Sequence, residues 1–481
     1  MTDAVAPDLS VDPADAALLD EYNQALTAAT TPFTIPGHKG RTQLLGPVTA
    51  GDVPMYPGLD TIKVTHRRLQ IAEQRAADLW GADWCRFSVG GSTHANQTLA
   101  LAVGAPGDVV VATRAVHRST LLGFVLAGLD PVWVHPEVDP VSGLPTGLPA
   151  ERVEQALRDH PGAKAVFVVE PGYVGTRSDV RALAEVSHLA GVPLVVDQAW
   201  GAHLGFHPDL PEHALQAGAD AMITSAHKAL PAYTQAALVF ARTQLLDRDR
   251  LERAFEATHT TSPAGAILAS IDGCRSLLEQ HGSALLGATI ELVTQARTRL
   301  AKVPGLDVLD GPPHQVDPTK LVVGLAATGA TGPAIETDLI ARGFPIELAD
   351  RDTVVAIVTI ADTPDTVDPF VDALIASVER HRSTPRTVQA PPWLSGGAYA
   401  EAAMTPRAAF FAPHERVTAE QAVGRVSAEL IAPYPPGIPA IVPGEVLTRE
   451  VLDALRAAAA AGVRVAYAAD PTLQTVQVVA R

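Results

Sequence analysis

Between about residue 70 and residue 242 the chain keeps repeating one unit: a short apolar run rich in Val and Ile, a turn, and in several places a helical stretch before the next run. The runs are DVVVAT (108–113), DPVWVH (130–135), KAVFVVE (164–170), PLVVDQ (193–198), DAMITSA (220–226) and AALVFAR (236–242). They are apolar throughout rather than alternating, as strands buried on both faces must be. LQIAEQRAADLWGA (69–82) and DVRALAEVSHLAG (179–191) carry helical periodicity, the first ending at Gly81. Strands of this kind interleaved with helices predict an α/β fold with a mostly parallel sheet covered on both sides.

The chain of 481 residues is too long for one ordinary core. Residues 1–50 read as an N-terminal arm with a short helix around ADAALLDEYNQAL, and residues 51–303 as a major domain closed by a long helical stretch over 262–303. Two further βα-like units near 319–348 and 353–380 predict a smaller α/β domain over 304–380. HRSTPRTVQAPPW (381–393) reads as a linker, and residues 394–481 as a C-terminal α+β domain.

Composition excludes several classes. With 53 acids against 36 Lys and Arg, a net charge of −17 argues against nucleic-acid binding, which needs a basic face. No basic and apolar leader opens the chain, and no apolar run reaches the length of a membrane span, so a cytoplasmic protein with no membrane partner is expected. The two cysteines, Cys85 and Cys274, support neither a disulfide framework nor a cysteine zinc site. His203 and His207 have the spacing of a helical metal pair, but Gly205 and Pro208 make a continuous helix there improbable, so no metal is expected.

Four features carry chemistry. Asp197 ends one apolar run, and Lys228 follows the end of another, 31 residues on in SAHKALPAYTQ (225–235). That separation is about one βαβ unit. Parallel strands open their C-terminal ends onto a common crevice, which puts the carboxylate and the amine at one edge. Taken singly, each residue better fits a turn-capping Asp or a solvated Lys; together, at strand ends, they do not. FSVGGSTHANQTLALAVGA (87–105) passes from a strand-like start through two glycines, Ser92 and Thr93 into an apolar helix. That is the layout of a phosphate cradle, and also of a plain capped helix start. His117 lies just beyond DVVVAT, where it can act as ligand, base or flat stacking surface, or simply satisfy local hydrogen bonds. A phosphate cradle, a stacking His, a strand-end Asp and a nearby Lys together match the needs of pyridoxal 5'-phosphate. That cofactor has a phosphate, a ring, a pyridine nitrogen that must stay protonated and an aldehyde that bonds lysine.

The segments TIPGHKG (34–40), GGSTHAN (90–96), VHRS (116–119), VDQAWGAHLGFHP (196–208), SAHKALPAYTQ (225–235), TTSPAGAILASID (260–272), YPPGIP (434–439) and PGE (443–445) occur in order along the chain. In these it resembles the ornithine/lysine/arginine decarboxylase family of fold-type-I pyridoxal-phosphate enzymes, in the short bacterial form without an N-terminal wing domain. The resemblance implies an aspartate-aminotransferase-like major domain and decarboxylation of arginine, lysine or ornithine to an amine that feeds polyamine or diamine synthesis. It also implies a homodimer or a higher assembly of dimers acting on a small amino acid. Lys228 would be the Schiff-base lysine and Asp197 the partner of the pyridine nitrogen. His117 would stack on the ring, with Ala199 on its other face. Ser92, Thr93, Ser225 and His227 would hold the phosphate, aided by Thr261 or Ser262 from a partner subunit. Lys228 or His227 would protonate the α-carbon, and Glu347 and Asp272 are conceivable contacts for the substrate's distal cation. Gln198 stands where the family commonly has Glu, EPGYVG (170–175) replaces Pro-Thr-Tyr, and GLDTIKVTH (58–66) departs from the family pattern. Another fold-type-I reaction, transamination or aldol cleavage, uses the same cofactor sites. A non-catalytic regulatory homologue is the third reading, against which the intact Lys228, Asp197 and His117 count.

Overall fold

The computed structural model describes residues 11–12, 14–28, 30–55, 67–312, 314–388, 393, 400–434, 437–460 and 462–481. Outside them lie residues 1–10, 13 and 29 of the predicted arm, 56–66 with GLDTIKVTH, 313, 389–392 of the predicted linker, 394–399, the Pro-Pro of YPPGIP, and 461.

Seven strands form the central sheet: β1 (Trp84–Ser88), β2 (Val109–Thr113), β3 (Asp130–Val134), β4 (Val166–Val169), β5 (Leu194–Asp197), β6 (Ala221–Ser225) and β7 (Ala237–Ala241). Their order is β1-β7-β6-β5-β4-β2-β3. β3, β2, β4, β5 and β6 pair in parallel, while β7 runs antiparallel to both its neighbours. Side chains on successive strand residues enter opposite cores. Leu194, Val196 and Met222 face one core; Val195, Ala221 and Ile223 face the other, beneath the helix Gly91–Val103 with its Ala95 and Leu99. By that parity Asp197 and Ser225 also point to the side of the helix Gly91–Val103.

One expectation needs correction. β5 and β6 are adjacent and parallel, but the crossover over 198–220 contains no helix. Gly201, Gly205 (φ +86°), Pro208 and Pro211 break helical continuity, and the segment runs as successive turns.

The helix Gly265–Leu300 spans 36 residues and joins two cores. Its first half packs under the central sheet, and Leu292, Val293, Ala296 and Leu300 enter the core of a second sheet. This sheet comprises β8 (Asp307–Val308), β9 (Lys320–Gly324), β10 (Leu348–Ala349) and β11 (Thr353–Ile357). The two βα units expected here are present, as β9 with the helix Gly332–Ala341 and β11 with the helix Pro364–Arg380. β11 inserts between β9 and β10, so all neighbouring pairs are antiparallel. The C-terminal region adds two ribbons, β12 (His414–Thr418) with β15 (Thr475–Val479) and β13 (Ala432–Tyr434) with β14 (Arg464–Ala466). The N-terminal helix Ala17–Thr27 is docked through buried Leu18 and Tyr22. No helix among the described residues is long and apolar enough to cross a membrane.

The C-terminal region is tied to the central sheet by a buried fork. Arg114, just past β2, donates to both carboxylate oxygens of Glu445 at 2.7 and 2.9 Å, and Glu445 also accepts from Val442 N–H at 2.8 Å. Removing one partner leaves a buried charge uncompensated. Glu445→Ala is therefore expected to cost about 3–5 kcal/mol, read as a lower urea midpoint. An unchanged midpoint would show that the fork does not hold the C-terminal region in place.

Candidate active site

The C-terminal ends of the parallel strands open into a cavity of about 410 Å³. Ser92, Thr93, His117, Asp197, Ala199, Ser225, His227 and Lys228 all line it. The reversal of β7 brings its preceding loop to the same edge, where Thr234 and Gln235 complete the wall and Gln235 C=O accepts from Gly91 N–H at 2.9 Å. Thr261 and Ser262 do not line this cavity; they are exposed, just before the helix Gly265–Leu300.

The cradle forms where the helix Gly91–Val103 starts at the sheet edge. Gly91 adopts φ +65°, and a Cβ at Gly90 would lie 2.8 Å from His94 Cβ, so both turn residues need glycine. Ser92 Oγ and Ser225 Oγ lie 2.6 Å apart, joining the helix start to the end of β6. The positive end of a 13-residue helix, with two hydroxyls beside it, suits a phosphate.

Asp197 is buried, and its Oδ2 accepts from Asn96 Nδ2 at 2.8 Å. Asn96 Nδ2 also donates to Ser119 Oγ, which lies 2.7 Å from His117 Nδ1. His117 caps the helix Arg118–Ala127, with Nδ1 accepting from Ser119 N–H at 3.2 Å, which leaves the ring proton on Nε2. The low-dielectric cavity lowers the His117 pKa, against the pull of Asp197, and Lys228 and Arg118 lower it further. The ring is therefore neutral and free to lie against an apolar surface.

Lys228 sits in a single helical turn, Ala226–Ala229, three residues beyond β6 rather than at the strand end itself. Its Nζ rests 3.9 Å from the centre of the Trp200 ring. Desolvation lowers its pKa against the opposing fields of Asp197 and Glu347, favouring the nucleophilic free amine. Beside it, His227 Nδ1 donates to Ala236 C=O at 2.9 Å, and burial lowers its pKa as well.

At the mouth, Tyr173 Oη donates to Glu347 Oε1 at 2.9 Å. Burial, reinforced by Glu347, pushes the Tyr173 hydroxyl pKa far up, so it remains a donor. Tyr434, Gly437 and Ile438 also line the cavity, which makes the YPPGIP stretch part of the site wall rather than only a surface turn. Of the two acids considered for the distal cation, Glu347 reaches the cavity and Asp272 does not. Asp272 is buried against Arg275 at 3.0 Å and accepts from Leu18 N–H, anchoring the N-terminal helix.

Sequence reasoning did not single out Asn96, Ser119, Trp200, Tyr173 or Tyr434. All five lie inside quoted stretches, Tyr173 in EPGYVG, so their positions were visible and their roles were not. Two departures have local explanations. Gln198 donates to Gly201 C=O and accepts from Ala214 N–H, both at 2.7 Å, a double duty that an ionised Glu cannot perform. Glu170 of EPGYVG pairs with Arg177 at 2.7 Å, and burial raises its pKa to about 7 despite that partner.

The residues present fit pyridoxal phosphate on one observation above the others. Asp197 is a buried carboxylate facing the cavity whose hydrogen-bond partners, Asn96 Nδ2 and Ala199 N–H, are neutral, as a site for a protonated ring nitrogen requires. The hydroxyl cradle and the Lys228 amine lie on the same cavity.

Residues 29–320 match the family model "Orn/Lys/Arg decarboxylase, major domain" and residues 396–465 match "Orn/Lys/Arg decarboxylase, C-terminal domain". The chain is 35% identical to the arginine decarboxylase of Halalkalibacterium halodurans, over 93% of this chain and 94% of that one. It is 34% identical to the arginine decarboxylase of Bacillus subtilis, with the same coverage. Among solved structures, lysine decarboxylase A from Pseudomonas aeruginosa superposes with TM-score 0.79 at 21% identity, covering 97% of this chain and 81% of that one. The constitutive lysine decarboxylase of E. coli gives TM-score 0.78 at 18% identity, covering 97% and 82%, a likeness of fold. With the major-domain and C-terminal models both matched and relatives similar over nearly their whole length, the chain is an amino-acid decarboxylase that belongs to the Orn/Lys/Arg decarboxylase family.

Proposed function

We propose that the protein decarboxylates arginine to its amine with pyridoxal phosphate, and that the amine enters polyamine synthesis. One observation carries the reading: Asp197, the Ser92–Ser225 cradle, the Lys228 amine and the Glu347 carboxylate converge on one cavity. The names of three relatives matched over 93% of this chain support arginine over lysine or ornithine.

The cofactor, when bound, supplies a protonated ring that takes up the electron pair left by departing carbon dioxide. The residues around it divide the remaining tasks. Asp197 holds the proton on the ring nitrogen. Ser92, Thr93, Ser225 and His227 bind the phosphate, and Thr261 or Ser262 of a second copy adds to them across a homodimer interface. His117 and Ala199, both on the cavity wall, would hold the ring between them. Lys228 would hold the cofactor at its aldehyde carbon and would yield that place to the substrate's α-amine. Lys228 or His227 would then deliver a proton to the substrate's α-carbon; burial lowers the pKa of both, which eases release of a proton from the protonated form. Glu347, held by Tyr173, accepts the substrate's distal guanidinium at the mouth.

The test is to incubate the purified protein with pyridoxal phosphate and a panel of amino acids, then identify products. Arginine is expected to yield carbon dioxide and the corresponding amine. Stoichiometric keto acid without carbon dioxide would replace this reading with transamination. Glu347→Gln is expected to raise KM for arginine by about tenfold or more, with a smaller effect on kcat, because a charge-assisted hydrogen bond is lost. An unchanged KM would remove Glu347 from substrate recognition.

A further inference from the structure

A second buried lysine shares the seat of the first. Lys320 opens β9 in the smaller sheet, is 4% exposed, and places Nζ 4.1 Å from the centre of the same Trp200 ring on which Lys228 rests. The two nitrogens are therefore at most about 8 Å apart, no more than a physiological Debye length, in a site that water screens poorly. The chain takes pains to place this cation. Its stem passes so close to Gly175 (φ +87°) that a Cβ there would meet Lys320 Cγ at 2.6 Å. Asp317 N–H donates to Gly175 C=O at 2.8 Å, and Arg177 N–H to Gln315 C=O at 2.9 Å, zipping the approach to β9 onto the 172–177 loop. Arg297 donates to Lys320 C=O at 2.7 Å.

We propose that Lys320 is a positioning residue for the reactive amine: the smaller domain holds its cation against Trp200, and repulsion across the ring makes a larger fraction of the Lys228 amine neutral and nucleophilic than Lys228 alone would have. This rests on Lys228 being the reactive amine of the decarboxylase site. The balance of charge supports it. Lys228 faces Asp197 from β5, Glu347 from the smaller domain, His117 from the neighbouring helix start and His227 in its own turn. Glu347 is in turn faced by Tyr173 and Tyr434. Both acids favour an ammonium at position 228, and Lys320 is the opposing cation. Lys320 itself faces Asp317 and Glu347, and Asp317 is shared with His203 at 3.1 Å. Burial brings the Lys320 amine down to about 8 against the pull of Asp317, with Lys228 lowering it further, so near pH 7 the cation is present.

The experiment uses the full-length protein stripped of cofactor. The rate of modification of Lys228 by trinitrobenzenesulfonate is followed by peptide mass spectrometry from pH 6 to 10 in wild type, Lys320→Arg, Lys320→Met and Lys320→Gln. With a cation retained, wild type and the Arg variant should label Lys228 at pH 7 about tenfold faster than the Met and Gln variants, equivalent to one pKa unit. The Arg variant should also have the lowest labelling midpoint. Two neutral variants guard against one that fails to fold, and wild type supplies the charged arm should Arg not fit. Equal Lys228 rates in the charged and neutral proteins would overturn the proposal. The readout needs no turnover, so it is separate from whether arginine is the substrate.

Discussion

Lys228→Ala is expected to lower turnover on the order of ten-thousand-fold or more, because no other group on the cavity replaces the nucleophile. Borohydride reduction of the loaded wild-type protein should fix the cofactor to the peptide containing Lys228, and label on another lysine would overturn the assignment. The same variant tests whether the site is shared between two chains. Thr261 and Ser262 are exposed and absent from the cavity of a single chain, so their proposed phosphate contact requires a second copy. Ser262→Asp should repel the phosphate and inactivate its own homodimer. Co-expressed with Lys228→Ala, it should restore roughly a quarter of wild-type activity, since mixed dimers gather both lesions in one site and leave the other intact. No recovery despite demonstrated mixed dimers would refute the shared site.

Asp197→Asn is expected to retain cofactor, measured by its absorbance after gel filtration, while turnover falls about a hundredfold or more. An amide keeps the hydrogen bond from Asn96 but cannot hold a proton on the ring nitrogen. Near-normal turnover would mean that Asp197 serves only its turn, where Oδ1 accepts from Ala199 N–H at 3.1 Å.

The strand runs were legible because strands buried on both faces leave an unbroken apolar signature. The reversal of β7 was not, because AALVFAR reads the same in either direction. The crossover over 198–220 looked long enough for a helix, yet its glycines and prolines, all visible, exclude one. Asp272 illustrates the limit of reading residue type alone. As an acid in a quoted motif it was a candidate for the substrate cation, but its partners are Arg275 and the backbone of the docked N-terminal helix.

What the sequence determined by itself was the set of strand ends and the chemistry on them. Asp197, Ser225 and Lys228 follow from local periodicity, and strand parity then turns Asp197 and Ser225 toward the helix that bears Ser92 and Asn96. These are short-range consequences of backbone geometry. Only the tertiary structure decided what faces them from far along the chain. Glu347, Lys320 and Tyr434 reach the cavity or its Trp200 wall from other sheets, each a single polar residue in a segment whose local pattern says nothing of its destination. Their placement depends on how separately formed cores dock, through contacts such as Gly175 against Lys320 and Arg114 against Glu445. Those contacts are set by complementary shape and buried charge between remote segments, and neither has a periodicity to read.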